Sequence, residues 1–149
     1  MSLYTHLLVP SDGSERSEAA VEHAIALAAS MGARITFLYA EPSVPLPVMG
    51  MGEMLDARTM EALIEANKGE TERVLQSAME AARSAGIVAD NQRMQSDLPH
   101  EAILAEARRL GCDLIVMASH GRRGLSGLLL GSETQRVLVQ APCPVLVYR

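Results

Sequence analysis

Aromatic residues are scarce in this chain of 149 residues, which contains three Tyr, one Phe and no Trp. A hydrophobic core must therefore be built from aliphatic side chains and from the nine Met. The two cysteines, Cys112 and Cys143, are not clustered as a zinc site requires, and we expect two reduced, buried thiols. Proline and glycine interrupt the apolar segments, so no run approaches the roughly 20 residues that a membrane-spanning helix needs.

Basic residues are outnumbered by acidic residues. Thirteen Lys and Arg stand against eighteen Asp and Glu, which gives a net charge of −5. Proteins that bind nucleic acids through their phosphates need a basic surface, so we expect no nucleic-acid partner. The opening segment MSLYTHLLVPSDGSE has neither the basic leader nor the apolar stretch of a signal peptide, and we expect a cytoplasmic protein without a membrane anchor.

The hydrophobic pattern predicts a single α/β domain over residues 1–149. Short apolar or β-branched segments alternate with segments whose apolar residues recur every three or four positions. Strands are predicted at residues 4–9, 34–40, 87–95, 113–118 and 145–148, and helices at 15–31, 59–85, 99–110 and 132–140. This alternation is typical of a doubly wound, five-stranded parallel sheet with helices on both faces.

Two turns that follow predicted strands contain the candidate binding residues. In open α/β sheets, ligands bind beyond the carboxyl ends of the strands. The first turn, Pro10-Ser11-Asp12, follows the first strand. The second turn leads from the fourth strand into the last helix, and its glycines and basic residues are Gly121, Arg122, Arg123, Gly124, Gly127 and Gly131.

Both turns allow two interpretations. The glycines of the second turn permit close backbone approach to a ligand, and a helix that starts near Ser132 offers unpaired N–H donors to phosphate. Alternatively, residues 132–135 (SETQ) form a capping box that needs no ligand. Asp12 either orients a ribose hydroxyl or a metal-bound water, or caps the first helix with Glu15 reaching back. His120 either donates a hydrogen bond to a ligand or faces solvent.

These segments resemble the universal stress protein family over residues 4–148. The resemblance rests on LLVPSDGSERSEAAVEHAIALA near the start, on SHGRRGLSGLLLGSETQRVLVQAPCPVLVY near the end, and on the predicted order of five strands. In the nucleotide-binding branch of that family, a pattern G-x2-G-x9-G-[ST] follows the fourth strand. Gly121, Gly131 and Ser132 match this pattern, but Ala118 stands in place of its first glycine.

The resemblance implies the sheet order 3-2-1-4-5, which would bring Asp12 and the glycine-rich turn to one crevice. It implies that the crevice binds ATP, ADP or AMP together with Mg²⁺. Tyr39 and Ala40 would hold the adenine edge through backbone groups, while Gly131 and Ser132 would hold the outer phosphates. The candidate ligand-binding residues are Pro10, Ser11, Asp12, Tyr39, Ala40, Met117, Ala118, His120, Gly121, Arg122, Gly131, Ser132 and Glu133.

Ala118 is the departure that bears most on this expectation. By resemblance, Met117, Ala118 and Gly121 would line the ribose and the first phosphates. If the backbone at position 118 requires a positive φ, alanine costs about 1 kcal/mol there. If its methyl group lies directly against the ribose, it excludes the ligand.

The last predicted strand, Val145–Tyr148, is an edge of the sheet in the implied order. It is apolar, and only the charge of Arg149 hinders its pairing with another strand. Because proteins rarely leave such an edge bare, we expect a homodimer in which the strand pairs with its twofold copy.

Three functions are compatible with these features. The first is a stress-response protein that binds an adenine nucleotide as a regulatory ligand rather than as a substrate. The second is a dimeric interaction module without a nucleotide, which Ala118 favours. The third is a slow ATPase, for which the sequence offers only Asp12 as a base. The four histidines form no metal cluster in the sequence, and no nucleophile–base pair is visible, so no dedicated catalytic residue is predicted.

Overall fold

The structure of the protein, a computed structural model, describes residues 1–43, 55–121 and 129–149. Within those residues, five strands alternate with four helices. The strands are β1 (His6–Pro10), β2 (Arg34–Glu41), β3 (Ala89–Gln95), β4 (Leu114–Ala118) and β5 (Val145–Tyr148), and the helices are α1 (Glu15–Met31), α2 (Ala57–Ser84), α3 (Pro99–Leu110) and α4 (Ser132–Gln140). The predicted alternation is confirmed, and its boundaries differ from the observed ones by no more than two residues.

The five strands form one parallel sheet in the order β3-β2-β1-β4-β5. The order that the family resemblance implied is therefore confirmed. Leu7 of β1 is opposite Ile35 of β2 on one side and Leu114 of β4 on the other. The winding direction thus reverses between β1 and β4, and the carboxyl ends of these two strands lie side by side.

Alternate strand residues fill two hydrophobic cores, one on each face of the sheet. Phe37 and Val116 belong to the core that α1 and α2 cover, whereas Leu38 and Ile115 belong to the core that α3 and α4 cover. All four side chains are fully buried. The sheet is therefore covered on both faces, as the continuous apolar strands predicted.

Glycine, proline and aspartate set the helix boundaries. α1 ends at Gly32 and α3 at Gly111, and both glycines adopt the left-handed conformation, with φ of 66° and 64°. Pro99 opens α3 at its first position, as predicted. α2 begins two residues earlier than predicted because Asp56 caps it, accepting the N–H of Thr59 at 2.7 Å. Among the described residues, no helix is both long and apolar enough to cross a membrane.

Asp113 fastens the start of β1 to the start of β4. Its Oδ2 accepts hydrogen bonds from the N–H and the hydroxyl of Thr5, at 2.9 and 2.7 Å, and its Oδ1 accepts the N–H of His6 at 2.9 Å. Burial alone would raise the pKa of Asp113, but these hydrogen bonds from His6 and Thr5 outweigh it and lower the pKa.

Changing Asp113 to asparagine is expected to lower the free energy of unfolding by about 1–2 kcal/mol at pH 7, because the amide cannot accept all of these bonds. The lowered pKa means that the carboxylate stabilises the fold above its ordinary pKa near 4 and loses this effect as the pH falls through the folded value. Urea unfolding from pH 7 to pH 3 should therefore show the difference shrinking below pH 4. Asp90→Asn, at an exposed position, is the control, and a difference that does not change with pH would contradict the prediction.

Both cysteines are reduced. Cys112 is buried in the core that α3 and α4 cover, and the half-buried Cys143 packs against the same core. Burial, with a smaller contribution from Cys143, raises the pKa of Cys112 to about 11. The expectation of buried thiols is therefore correct for Cys112 and only partly correct for Cys143.

Candidate functional site

Asp12 and Gly121 face each other beyond the carboxyl ends of β1 and β4. A Cβ atom placed on Gly121 would lie 2.7 Å from Oδ2 of Asp12, which is closer than nonbonded atoms approach. Pro10 ends β1, and the buried Ser11 that follows it donates its N–H to the carbonyl of Leu38 at 2.9 Å. The two predicted turns therefore meet in one crevice, and a side chain at position 121 would displace the Asp12 carboxylate.

The Asp12 carboxylate is held from the side of α1. Its Oδ1 accepts hydrogen bonds from the N–H of Ser14 at 2.9 Å and from the hydroxyl of Ser17 at 2.7 Å. The N-cap of α1 is Ser14, so the interpretation of Asp12 as the cap is wrong. The turn at Gly13, whose φ is 79°, brings Ser14 to the helix start and leaves Asp12 to brace the capping turn.

The last residues of β2 extend past the end of β1. Alternate β2 residues direct their backbone groups towards β1, and Leu38 is the last of these with a partner, the N–H of Ser11. Ala40, two residues later, therefore directs its N–H and carbonyl to the gap beyond β1. The neighbouring Tyr39 is buried and donates its hydroxyl to the carbonyl of Asp12 at 3.3 Å. The structure thus brings both predicted β2 residues to the crevice.

The start of the glycine-rich turn is tied to α4. The hydroxyl of Thr134 lies 3.1 Å from the carbonyl of Ala118 and 3.2 Å from that of Ser119 and donates to them. The N–H of Gly131 donates to the same Ser119 carbonyl at 2.8 Å. His120 is buried, and its ring contacts the Ser119 hydroxyl at 3.1 Å. These contacts place the start of α4 against the end of β4.

Ala118 causes no backbone strain. It is the last residue of β4, and within the described ranges only glycines have a positive φ. The penalty of about 1 kcal/mol considered for a positive φ therefore does not arise. Leu114 and Val116 face the core under α1 and α2, whereas Ile115 and Met117 face the opposite core. By alternation, the methyl group of Ala118 lies on the α1 side, and the side chain of Met117 is committed to packing.

α4 begins with unpaired backbone donors. Its N-cap is Gly131, which has no side chain, and Ser132 is the first helical residue. The capping box predicted at residues 132–135 is therefore wrong, and Gln135 instead donates its side-chain amide to a backbone carbonyl ahead of the helix, at 2.8 Å. Across residues 1–43, 55–121 and 129–149, the first three N–H groups of α4 have no hydrogen-bond acceptor. Such donors, with the helix dipole, attract an anion.

The Glu133 side chain is directed towards α3 and not towards a ligand. Its Oε2 accepts the N–H of His100 at 2.7 Å and lies 2.7 Å from the ring Nδ1 of His100, while Oε1 accepts from Arg136 at 2.9 Å. Burial alone would raise the pKa of Glu133, but the bonds from His100 and the charge of Arg136 lower it. Glu133 was predicted to bind the ligand, and of its groups only the backbone N–H remains available for this.

Part of the glycine-rich turn cannot be placed relative to the crevice. Arg122 lies outside the described residues, as do Gly124 and Gly127. In the described part of the chain, no group of three His, Cys, Asp or Glu residues is arranged to hold a metal ion.

Two side chains that shape the crevice were not predicted. Ser17 holds Asp12, and Thr134 holds the end of β4. Ser17 follows the cap Ser14 by three residues, a spacing at which a side chain returns to the helix start, so a sequence signal existed. The contact of Thr134 spans 16 residues and has no local signal.

Comparison with known proteins identifies the chain. A profile of the universal stress protein family matches residues 3–149. The chain belongs to that family. Universal stress protein MJ0531 of Methanocaldococcus jannaschii is 32% identical over 151 residues, which cover 99% of this universal stress protein and 84% of the relative. A universal stress protein of Thermus aquaticus, described as lying in the QAH/OAS sulfhydrylase 3′ region, is 33% identical over 147 residues, with 99% and 100% covered.

Solved structures share the fold of this universal stress protein. The structure of MJ0577 superposes with a TM-score of 0.78 at 26% identity, covering 97% of this chain and 95% of the other. A universal stress protein in complex with cAMP superposes with a TM-score of 0.73 at 24% identity, covering 99% of both chains. These TM-scores establish a common fold.

Proposed function

We propose that this universal stress protein binds an adenine nucleotide, ATP, ADP or AMP, as a regulatory ligand in the cytoplasm. The decisive observation is the approach of Gly121 to Asp12, where a Cβ would lie 2.7 Å from a carboxylate oxygen. The absence of a side chain at this point keeps a crevice open between the end of β2 and the start of α4. Each end of the crevice offers backbone groups that suit one end of a nucleotide.

The end of β2 suits the base. Ala40 offers one N–H and one carbonyl on the side where β1 has ended. Adenine presents an acceptor, N1, beside a donor, the N6 amino group, so the two patterns are complementary. The hydroxyl of Tyr39 bonds the backbone of Asp12 and links this base side to the middle of the crevice.

The start of α4 suits the phosphates. Its first three N–H groups are available, and Ser132 adds an exposed hydroxyl. The carboxylate of Glu133 is engaged with His100, so its charge does not compete for the helix donors. Arg122 would add positive charge. Mg²⁺ would bind to the phosphates and take most of its other ligands from water. Asp12 is the carboxylate that could complete its coordination.

Other proteins with this fold hold adenine nucleotides. One universal stress protein is in complex with cAMP, and an Arabidopsis thaliana family member, which superposes with a TM-score of 0.68, has AMP bound. These ligands belong to those proteins. They support the proposal because they show that the fold can enclose such a molecule.

Isothermal titration of the full chain with Mg-ATP, ADP and AMP tests the proposal. We expect saturable binding of at least one of them and a rise in melting temperature, since a ligand of the folded state stabilises it by mass action. Inorganic triphosphate serves as a control for simple anion binding. No heat and no melting shift at millimolar nucleotide would overturn the proposal.

A nucleotide-free interaction module is the second candidate, and the alanine at position 118 favours it. Because Ala118 is unstrained and its methyl group lies on the α1 side, we expect Ala118→Gly to change the affinity for ATP by less than about threefold, which is about 0.7 kcal/mol. Titration of both proteins with Mg-ATP measures this. ATP binding by the glycine variant but not by the native chain would instead support the interaction module.

We also propose a homodimer through β5. All four residues of this edge strand are half-exposed, and α4 beside it exposes 84% of Val139 and 41% of Leu138. Pairing β5 with its twofold copy would cover both. Analytical ultracentrifugation should find a dimer at micromolar concentration that Val147→Lys dissociates and that Gln92→Lys, on the β3 edge, leaves intact. A monomeric native chain would contradict this proposal.

A further inference from the structure

A network of charged and polar side chains around the buried Glu41 fixes the last residue of β2. The carboxylate of Glu41 accepts the Nε–H of Arg93 at 2.6 Å and the side-chain amide of Asn67 at 3.2 Å. Because the Glu41 side chain is only 11% exposed, water does little to stabilise its charge. The charge therefore depends on Arg93 and Asn67. Arg93 also lies 3.9 Å from Glu72, whose side chain is 63% exposed.

The backbone around Glu41 is fastened as well. The carbonyl of Glu41 accepts the N–H of Ser96 at 2.8 Å, and the N–H of Ser43 donates to Oδ1 of Asp97 at 2.7 Å. All of these anchors come from α2, β3 and the residues after β3. Ala40 has no strand beside it on the other side because β1 has already ended. The orientation of its N–H and carbonyl therefore depends on the anchors at Glu41.

We propose, on the basis of the nucleotide site proposed above, that Glu41 is a positioning residue that sets the base selectivity of the crevice through its contacts with Arg93 and Asn67. It holds the N–H and carbonyl of Ala40 in the plane and at the angle that adenine requires. Glu41 itself touches no ligand. Its side chain points to α2, whereas the backbone groups of Ala40 point to the gap beyond β1.

Inosine nucleotides show whether Glu41 controls the selectivity for the base or only the overall affinity for nucleotides. Hypoxanthine has the size of adenine, but it carries a donor at N1 and an acceptor at C6, the reverse of adenine. A fixed donor and acceptor at Ala40 would therefore reject it, because backbone groups would face like groups and remain unpaired. A loosely held β2 end can shift to relieve these contacts, and the discrimination falls.

The contacts between Glu41 and Arg93 can be removed by substitutions that add no bulk to the interior. A groove of about 540 Å³ adjoins it and is lined by Glu41, Ile64, Asn67 and Arg93 among others. Arg93→Met would leave the Glu41 carboxylate buried without its cation, and the groove gives that carboxylate room to move towards water. Glu41→Gln would remove the charge that holds Arg93. Both variants should therefore show the same change in selectivity.

The test compares the Kd of Mg-ATP with that of Mg-ITP for the native chain and for Glu41→Gln, Arg93→Met, Arg93→Lys and Glu72→Gln. We expect the native chain to prefer ATP at least tenfold and the first two variants to prefer it less than threefold. Arg93→Lys, which keeps the charge, should restore part of the preference. Glu72→Gln, at the exposed end of the network, is the matched control and should keep all of it.

The outcomes separate this inference from the nucleotide site itself. A native chain that binds none of ATP, ADP, AMP and ITP would remove the proposed function. A native chain that binds ATP and ITP equally, or variants that lose both in the same proportion, would overturn the positioning role while leaving the nucleotide site. If circular dichroism shows that Glu41→Gln does not fold, the comparison of Arg93→Met with Arg93→Lys alone tests the positioning role.

Discussion

Changing Gly121 to alanine is expected to weaken the binding of ATP at least tenfold. The new Cβ would lie 2.7 Å from Oδ2 of Asp12, so the carboxylate would have to rotate. Its Oδ1 is bonded to the N–H of Ser14 and to the hydroxyl of Ser17, and rotation would break both bonds. The crevice would narrow, and the start of α1 would lose its brace, for a further cost of about 1 kcal/mol in stability.

Gly69 provides the matched control for this change. It lies within α2, and a Cβ placed on it would meet no atom within 4 Å. Gly69→Ala should leave ATP binding unchanged and stabilise the fold by up to about 1 kcal/mol, because alanine is the better helix former. Titration with Mg-ATP and urea unfolding measure both variants. An ATP affinity in Gly121→Ala equal to that of Gly69→Ala would refute the assignment of the crevice.

Replacing Phe37 by alanine is expected to lower the free energy of unfolding by about 3–5 kcal/mol. Phe37 is the one phenylalanine of the chain, has no exposed surface and lies at the centre of the core that α1 and α2 cover. Phe37→Leu should cost less, about 1–2 kcal/mol, because most of the volume is retained.

Equilibrium urea unfolding measures this effect. Val88→Ala is the control, since Val88 is 74% exposed and should change the stability by less than about 0.5 kcal/mol. A loss below 1 kcal/mol for Phe37→Ala would mean that the core around β2 is not as closely packed as the burial of Phe37 indicates.

Local signals in the sequence predict the elements well. α1, α4 and β5 occupy the predicted residues, and the glycines after α1 and α3 end their helices. These features depend on neighbouring residues only: apolar periodicity, a proline at the first turn, a glycine free to adopt a positive φ. The order of the strands has no such local signal and came from the family resemblance.

The caps show where local reasoning fails. Asp12 and Ser14 are both good cap residues, two positions apart, and the turn at Gly13 decides between them. At α4 one of the two interpretations of the sequence requires a cap at Ser132, but the N–H of Gly131 is bonded to Ser119 and the helix begins one residue earlier than that cap requires. The turn that settles the first case is local, whereas a contact between segments distant in the sequence settles the second.

Glu133 shows the same limit within the candidate site. Its position beside Ser132 in the sequence indicates a role at the phosphates, yet its carboxylate contacts His100, 33 residues away. Nothing near either residue in the sequence signals that contact. The backbone groups at Ala40 were predicted from the resemblance, but their dependence on Glu41 becomes visible only when β2, β3 and α2 are assembled.

The burial of Cys112 should protect its thiol from oxidation and alkylation. With a pKa of about 11, only about one molecule in ten thousand carries the thiolate at pH 7, and the thiolate is the form that peroxides and alkylating reagents attack. The native thiol should therefore survive exposure to hydrogen peroxide that damages exposed cysteines. In a Cys143→Ser variant, a single cysteine introduced on the surface of α2 could then be labelled with maleimide dyes while Cys112 remains unmodified.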